Sequence, residues 1–273
     1  MSTQISVPAP PSFAAPRLLR SALIAGKRVR SLLVLFLVWE VAGRLQLVRP
    51  FLLPHLEAVA SRFATDVISG AFFSNSALTL YRALAGFALA VAIGAPLGIL
   101  IAMNRGLRWF CDPLVSVGFP MPKIAFLPVF MLWFGVFDAS KIAMVAFSTV
   151  FTVVAAAEAG TAGVERWLVW SARSMGAGRL AVFREVLLPA AMPQILTGLQ
   201  VALPVALITT VAAEMLMGGA GLGGAMMQAG SYADSVGVYV GIIETSCVGA
   251  IAVAAMAQLR RRLLRWHPEF NPR

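Results

Sequence analysis

The residues best suited to binding another molecule are concentrated in one polar segment, 158–189, between two apolar stretches. Its first part, 163–175, has a helical pattern that presents Trp167 and Trp170. Exposed aromatic side chains of this kind are typical of a surface that docks another protein. The alternative is a segment that packs on its own membrane domain. Both remain open from the residues alone.

The second part of this segment predicts a turn followed by another short helix. Gly176 and Gly178 mark the turn. The stretch 179–188 has a helical apolar stripe, and Pro189 is expected to end it. The stripe consists of Leu180, Phe183 and Leu187. The segment is therefore expected to be a helical hairpin with an apolar edge.

Several charged residues fall within apolar stretches, where charge is costly and often functional. Glu214 is expected either to border a translocation path or to stay solvated near the membrane surface. Glu244 either faces a cavity between two copies of the chain or hydrogen-bonds within its own bundle. Tyr81 and Arg82 are expected to be anchors at the membrane interface.

Residues for metal or nucleotide chemistry are sparse. Cys111 and Cys247 are far apart, and His55 and His267 are isolated, so no metal site is expected. No P-loop is present, so the chain is expected to have no ATP site of its own. The stretch 219–224 fits G-x-G-x-x-G but follows an apolar helix rather than a strand, which predicts a tight external turn.

The amino-acid composition indicates which class of fold positions these residues. Of 273 residues, 59% are hydrophobic and only 12% are charged, about half the charged fraction of a soluble domain. This excludes a soluble enzyme, a disordered chain and a collagen-like chain. An all-α, polytopic membrane protein is the fold class that remains.

The apolar stretches predict six transmembrane helices. A basic tail that is expected to be disordered, 1–30, precedes a transmembrane domain, 31–266, and a short tail, 267–273, follows it. An amphipathic stretch, 52–69, is expected to lie along the membrane surface. In the first span, Glu40 and Arg44 have the i,i+4 spacing of an ion pair. The spans are expected at 31–48, 78–103, 122–137, 141–157, 193–218 and 236–259. The second contains Gly86, Gly94 and Gly98, which would let a neighbouring helix approach closely.

The net charge of +10 predicts the orientation of the chain. If the N-terminus is cytoplasmic, sixteen of the 22 Lys and Arg residues fall in cytoplasmic segments. Four of them lie in 158–189 and two in 104–121. Because cytoplasmic loops carry excess positive charge, both termini are expected to be cytoplasmic. This accounts for the basic composition without a nucleic acid partner.

The segment 158–189 also resembles a motif of the inner-membrane permeases of binding-protein-dependent ABC importers. That motif is Glu-Ala-Ala, three residues, Gly, nine residues, Ile, any residue, Leu-Pro. Here the spacing is kept by Trp170-Ser-Ala172, Gly176, and Val186 with Leu188-Pro189. Trp170 and Ser171 stand in place of the family's Glu and first Ala.

Further motifs are similar to the nitrate/sulfonate/taurine class of these permeases and cover roughly 32–266. They are FLLP at 51–54, DP at 112–113, PMPKIAFLP at 120–128, LWFG at 132–135, ARSMGA at 172–177, VAAEM at 211–215 and GLG at 221–223.

The resemblance implies an ATP-driven importer of a small solute, such as a nitrate-, sulfonate- or taurine-like anion, in a bacterial inner membrane. A homodimer of the chain would bind two ATPase subunits, which carry the ATP, and an extracytoplasmic substrate-binding protein. Segment 158–189, here called the coupling loop, would lie in a cleft of the ATPase. With Trp170 in place of Glu, either the ATPase has an apolar pocket for the ring, which is the expectation preferred here, or coupling is weaker. The residues assigned to coupling are Trp167, Trp170, Ala172, Arg173, Gly176, Ala177, Arg179, Phe183, Arg184 and Pro189, and those assigned to the path are Glu214 and Glu244.

Two other functions are weighed against this one. An ion-driven secondary transporter would show paired charges near the membrane midplane and inverted repeats, and neither is clear. A membrane scaffold or sensor would not need a patterned 30-residue hairpin. Whether an ATPase subunit co-purifies with the chain separates the three.

Overall fold

The computed structural model describes residue 30 and residues 33–267. The predicted tails, 1–30 and 267–273, lie almost wholly outside the described residues. Every regular element within the described ranges is a helix, which confirms the all-α fold class. By its internal contacts the chain divides into two compact units, Met1–Ala58 and Val59–Arg273.

Ten helices are named here in chain order. They are α1 (33–44), α2 (Leu56–Ile68), α3 (Ala71–Met103), α4 (Arg105–Gly118), α5 (Leu127–Phe134), α6 (Asp138–Ala162), α7 (Arg166–Ser174), α8 (Arg179–Met217), α9 (Leu222–Ser231) and α10 (Ser235–Leu263). Four of them, α3, α6, α8 and α10, are long and apolar enough to cross a membrane. The described chain therefore has four such helices, or five if a bent pair is counted as one span.

In the first unit, α1 is held by polar contacts at its carboxyl end. The Arg44 guanidinium lies 2.6 Å from a Glu40 carboxylate oxygen, which confirms the predicted ion pair. The second Glu40 oxygen accepts a hydrogen bond from the Leu56 amide at 3.3 Å. The Trp39 indole donates to the Pro54 carbonyl at 2.9 Å.

In the second unit, α3 packs along α6, and α6 packs along α8. The apolar core between them includes Ala90, Val153, Ala157 and Leu203, all buried. Glycines of α3 make the close approach possible. A Cβ at Gly86 would lie 2.6 Å from the Val145 Cβ, which is a clash. The predicted role of the α3 glycines in close helix packing is confirmed.

We expect Gly98→Ala to lower the free energy of unfolding by about 1–3 kcal/mol, the usual cost of overpacking. A Cβ at Gly98 would overlap the backbone carbonyl of Val154, and backbone cannot rotate away as a side chain can. The measurement is the thermal unfolding of the purified chain in detergent. Gly249→Ala on α10 is the control, because its Cβ would meet no atom within 4 Å. Equal stability of the two variants would contradict this packing.

The segment assigned from sequence to a cytoplasmic loop, 104–121, contains helix α4. The Asn104 side chain caps it by accepting hydrogen bonds from the Gly106 and Leu107 amides at 2.9 and 3.2 Å. A 3₁₀ turn, Lys123–Phe126, leads into α5. Together α4 and Lys123–Phe134 form a pair bent by 94° that could count as one broken span, whereas the third span was expected at 122–137 alone.

The prediction that Pro189 ends a short helix is wrong. Helix α8 begins at Arg179 and continues through Pro189 to Met217. A π-helical stretch, Val182–Leu187, comes directly before the proline region. The wider π turn changes the hydrogen-bond register there, so the helix accommodates a residue that has no N–H group. The loop's second helix and the following span are therefore one element.

Candidate functional site

Helix α7 presents two tryptophans to solvent on a short amphipathic element. Trp167 is 60% exposed and Trp170 is 65% exposed, whereas Ala172 is buried. The Trp167 indole donates a hydrogen bond to the Glu165 carboxylate, which fixes one ring at the start of the helix. Large apolar rings on a charged surface are the kind of side chain that anchors protein interfaces.

Gly176 closes α7 with a Schellman motif. The Gly176 amide donates to the Arg173 carbonyl at 3.0 Å, and the Ala177 amide donates to the Ala172 carbonyl at 3.1 Å. Gly176 has a φ of 85°, in the left-handed region that favours glycine. The motif explains why the turn predicted at this position needs glycine at Gly176 in particular.

The turn at Gly176 is followed by the first residues of α8. Arg179 and Arg184 are exposed there, Phe183 is half-buried and Val182 is buried. Because the π-helical stretch belongs to the same element, the apolar face at Phe183 continues into the α-helical part of α8. Pro189 lies in the first turn of the α-helical part, within the continuous helix rather than at a break.

A cavity of about 400 Å³ brings several of the predicted coupling residues together. Trp170, Arg173, Arg179 and Phe183 line it, whereas Trp167, Arg184 and Pro189 do not. Two arginines that the sequence pattern did not single out, Arg108 of α4 and Arg166 of α7, also line it. The surface therefore combines two aromatic side chains with four guanidinium groups, which suits an acidic protein partner.

Arg108 belongs to this surface through the packing of α4. Its Nε lies 3.4 Å from a carboxylate oxygen of Glu158, near the end of α6. The pair is part-exposed, so its contribution to stability is small. Arg108 could not be found from sequence spacing, because it lies some 60 residues before α7 and only tertiary packing brings it to the cavity.

A second cluster lies at the other end of α3, where buried Arg82, Glu214 and Thr79 meet the half-exposed Asp138. An Arg82 guanidinium nitrogen lies 2.7 Å from a Glu214 oxygen, and another lies 2.6 Å from an Asp138 oxygen. The Thr79 hydroxyl lies 2.9 Å from the second Glu214 oxygen. Arg82 is 4% exposed, so its expected role as an interface anchor is wrong. Its neighbour Tyr81 is exposed.

Glu214 is fully buried, which makes a solvated side chain near the membrane surface wrong as well. Its carboxylate accepts a hydrogen bond from the Gly223 amide at 3.0 Å. Thr79 accepts one from the Leu222 amide at 3.0 Å, and Lys141 donates to the Gly218 carbonyl at 2.9 Å. The buried charges thus hold the glycine-rich turn between α8 and α9.

That turn requires glycine at several positions. Gly218, Gly219 and Gly221 all have positive φ, so the predicted tight turn at 219–224 is present, and α9 begins at Leu222. A Cβ at Gly221 would lie 2.5 Å from the Glu214 carboxyl carbon. Glycine at these positions therefore lets the backbone of the turn approach the buried Glu214 carboxylate.

Glu244, the other acid expected in a span, lies on α10 and is buried. It lines a separate cavity within the protomer, together with residues of α2, α3 and α9. No group of three or more His, Cys, Asp or Glu residues that could hold a metal ion occurs in the described ranges.

Comparison with known proteins gives one family. The family described as "Binding-protein-dependent transport system inner membrane component" matches residues 94–265. The taurine transport system permease protein TauC of Escherichia coli (strain K12) is 32% identical over 246 residues, covering 88% of this chain and 90% of that protein. The putative aliphatic sulfonates transport permease protein SsuC of Bacillus subtilis (strain 168) is 31% identical over 238 residues, covering 87% and 86%.

Solved structures share the fold. A chain of the MetNI methionine ABC transporter in inward facing conformations has a TM-score of 0.57 at 20% identity, with 68% of this chain and 96% of that chain covered. A chain of an amino acid ABC transporter has a TM-score of 0.55 at 20% identity, with 74% and 96% covered. At this identity the likeness concerns the fold alone.

Proposed function

This chain belongs to the family of binding-protein-dependent transport system inner membrane components and is the permease subunit of an ATP-driven importer, and on that premise we propose that it docks a separate ATPase through the coupling loop. The docking surface consists of the exposed face of α7, the Gly176 turn and the first residues of α8. The observation that carries this proposal is the cavity where Trp170 meets four arginines.

The physical chemistry of that surface supports an ATPase partner. Trp170 stands where the resembling motif has a carboxylate, so an apolar pocket on the ATPase receives its ring. Arg173, Arg179 and Arg184 pair with acids around that pocket, and these pairs fix the orientation of the coupling loop on the ATPase. ATP is bound by the ATPase subunits, and this chain, whose sequence contains no P-loop, has no ATP site.

The proposed arrangement in the membrane has six spans. The four long helices are joined by α1 and by the bent pair α4–α5 as the remaining two spans. Both termini and the coupling loop then lie in the cytoplasm, consistent with sixteen of the 22 basic residues falling there. The permease domain is 31–266, with the coupling loop at 158–189.

The proposed assembly is a homodimer of this chain in lipid, with two ATPase subunits and an extracytoplasmic binding protein. The solute is a small sulfonate-like anion, by analogy with the taurine and aliphatic sulfonate systems named above. Glu214 holds the turn between α8 and α9 and does not contact solute, because its carboxylate is fully buried and satisfied. Glu244 remains the path candidate.

Co-purification tests the proposal. The tagged chain, extracted in detergent from its native membrane, is expected to retain an ATPase subunit in equal amount. Uptake into vesicles reconstituted with this complex is expected to require ATP. Recovery of the chain without an ATPase, together with uptake that follows an ion gradient, would overturn it in favour of a secondary transporter.

We expect Gly176→Val to weaken ATPase association and ATP-dependent uptake by about tenfold. A β-branched residue at a φ of 85° costs roughly 1–2 kcal/mol or rearranges the turn, and either moves α7 relative to α8. Gly178→Val is the control, because Gly178 has a φ of −70° and open space around it. If Gly176→Val leaves both association and uptake intact, the coupling role of this turn fails.

A further inference from the structure

A cavity of about 140 Å³ lies between α2, the first turn of α3, α9 and α10, remote in sequence from the coupling loop. This volume far exceeds the roughly 10–15 Å³ that one water molecule needs. Small residues of α10, Gly237 and Gly241, form part of its wall. Its polar and aromatic lining consists of Arg62, Asp66, Phe72, Asn75 and Glu244.

Glu244 is the unusual member of this lining. Only 5% of its surface is exposed to solvent. Its Oε1 accepts no hydrogen bond from any residue that the structure describes. A buried carboxylate oxygen without a donor is costly. Glu214, the other buried acid of this unit, is satisfied at both oxygens. Glu244 therefore offers an open acceptor to whatever enters the cavity.

The charges around the cavity favour a cation. Arg62 is the one basic residue among its lining, and it already faces two acids. Its Nε lies 3.3 Å from an Asp66 oxygen, and its Nη1 lies 3.5 Å from an Asp234 oxygen. Asp234 also accepts a hydrogen bond from the Gly237 amide at 2.9 Å. Arg62 is therefore already paired with two carboxylates, and Glu244 adds a further acid to the lining.

The remaining walls favour an organic ammonium group over a metal ion. Phe72 supplies an aromatic ring, and Ala225 and Met226 supply apolar surface. A hard metal ion would need several oxygen ligands arranged around it, whereas the three N–H donors of an ammonium need one open carboxylate and tolerate an aromatic wall.

We propose that this cavity binds the primary ammonium group of a small amine-bearing solute, with Glu244 as the acceptor. The inference rests on the proposed transport function and narrows it: the solute carries an ammonium group in addition to its acidic group, as an aminosulfonate does and an unsubstituted alkanesulfonate does not. Glu244 lies about two and a half helical turns inside α10, a helix long and apolar enough to cross the membrane.

Thermal unfolding of the purified permease–ATPase complex tests the site. Ethylammonium chloride is expected to raise the unfolding midpoint saturably, whereas sodium chloride and tetramethylammonium chloride at equal concentration do not. 2-Aminoethanesulfonate is expected to stabilise the complex more than ethanesulfonate, which differs from it only by lacking the ammonium group. Equal protection by sodium and ethylammonium would mean an inorganic cation site and would overturn the proposal, as would the absence of protection by ethylammonium.

Variants separate the site from general stability. We expect Glu244→Gln to raise the ethylammonium concentration for half-maximal protection by about 10- to 100-fold, since a hydrogen bond to a charged group is lost. Ser246→Ala, an exposed position on the same helix, is the control. If Glu244→Gln fails to fold, the comparison of the two sulfonates on the unaltered complex still tests whether an ammonium group strengthens binding. Unchanged ethylammonium protection in Glu244→Gln contradicts the site.

The same samples distinguish failure of the proposed transport function from failure of the ammonium site. If no ATPase co-purifies with the unaltered chain, the proposed function fails whatever the ligands do. If the ATPase is present and ethylammonium has no effect, only the ammonium site fails.

Discussion

Replacing Glu214 by Ala is expected to lower the free energy of unfolding by about 3–5 kcal/mol, which is the cost of leaving a buried charge without its partner. The Arg82 guanidinium, 4% exposed, would lose the carboxylate that lies 2.7 Å away. The Gly223 amide and the Thr79 hydroxyl would lose their acceptor in the same step. The turn between α8 and α9 would keep the hydrogen bonds that its backbone makes with the side chains of Lys141, Asn75, Thr79 and Arg82.

Thermal unfolding in detergent measures this effect, and two variants bracket it. Glu214→Gln keeps the shape and part of the hydrogen bonding but removes the charge, so an intermediate loss is expected. Glu57→Ala, at an exposed acid on α2, is expected to change stability by no more than about 0.5 kcal/mol. A Glu214→Ala chain as stable as Glu57→Ala would contradict the buried cluster.

Replacing Trp170 by Ala is expected to weaken ATPase association by at least about 2 kcal/mol, roughly thirtyfold, because an exposed tryptophan at the centre of an interface is a typical hot spot. Its ring is 65% exposed and borders the cavity of four arginines. Removing it should change little within the chain itself. ATP-dependent uptake is expected to fall with association, while the unfolding midpoint stays near that of the unaltered chain.

Trp133→Ala provides the matched control for this substitution. Trp133 is also exposed, but it lies on α5, where its ring packs edge-on against Phe130. It is expected to leave ATPase association unchanged. Loss of association in both variants, or in neither, would mean that Trp170 has no special part in docking.

Local sequence patterns predicted the elements that depend on local physics. The long apolar helices, the turn at Gly176 and the close packing at Gly86 follow from composition, glycine spacing and helical period. Pro189 was misjudged because the π-helical stretch before it, Val182–Leu187, has no comparable sequence signal. The bent pair was missed because the basic residues of 104–121 indicate a cytoplasmic loop, while the apolar stretch 122–137 by itself suggests a complete span.

The buried charges could not be placed from sequence because their partners are far apart in the chain. Arg82 pairs with Asp138 and with Glu214, 56 and 132 residues away. From sequence alone, an arginine near the end of an apolar stretch suggests an interface anchor. Arg108 was missed at the docking surface for the same reason. A glycine-rich turn directly after an intramembrane acid was the one available signal for the Glu214 contacts.

Cysteine crosslinking between the chain and its ATPase tests the docking surface most directly. Met175, at the end of α7, is 79% exposed and adjoins the Gly176 turn, and Val117 on α4 is 69% exposed. In the co-purified complex, Met175→Cys is expected to crosslink to the ATPase in high yield, and Val117→Cys is not. A complex that retains its ATPase but crosslinks from position 117 and not from position 175 would contradict coupling through this loop.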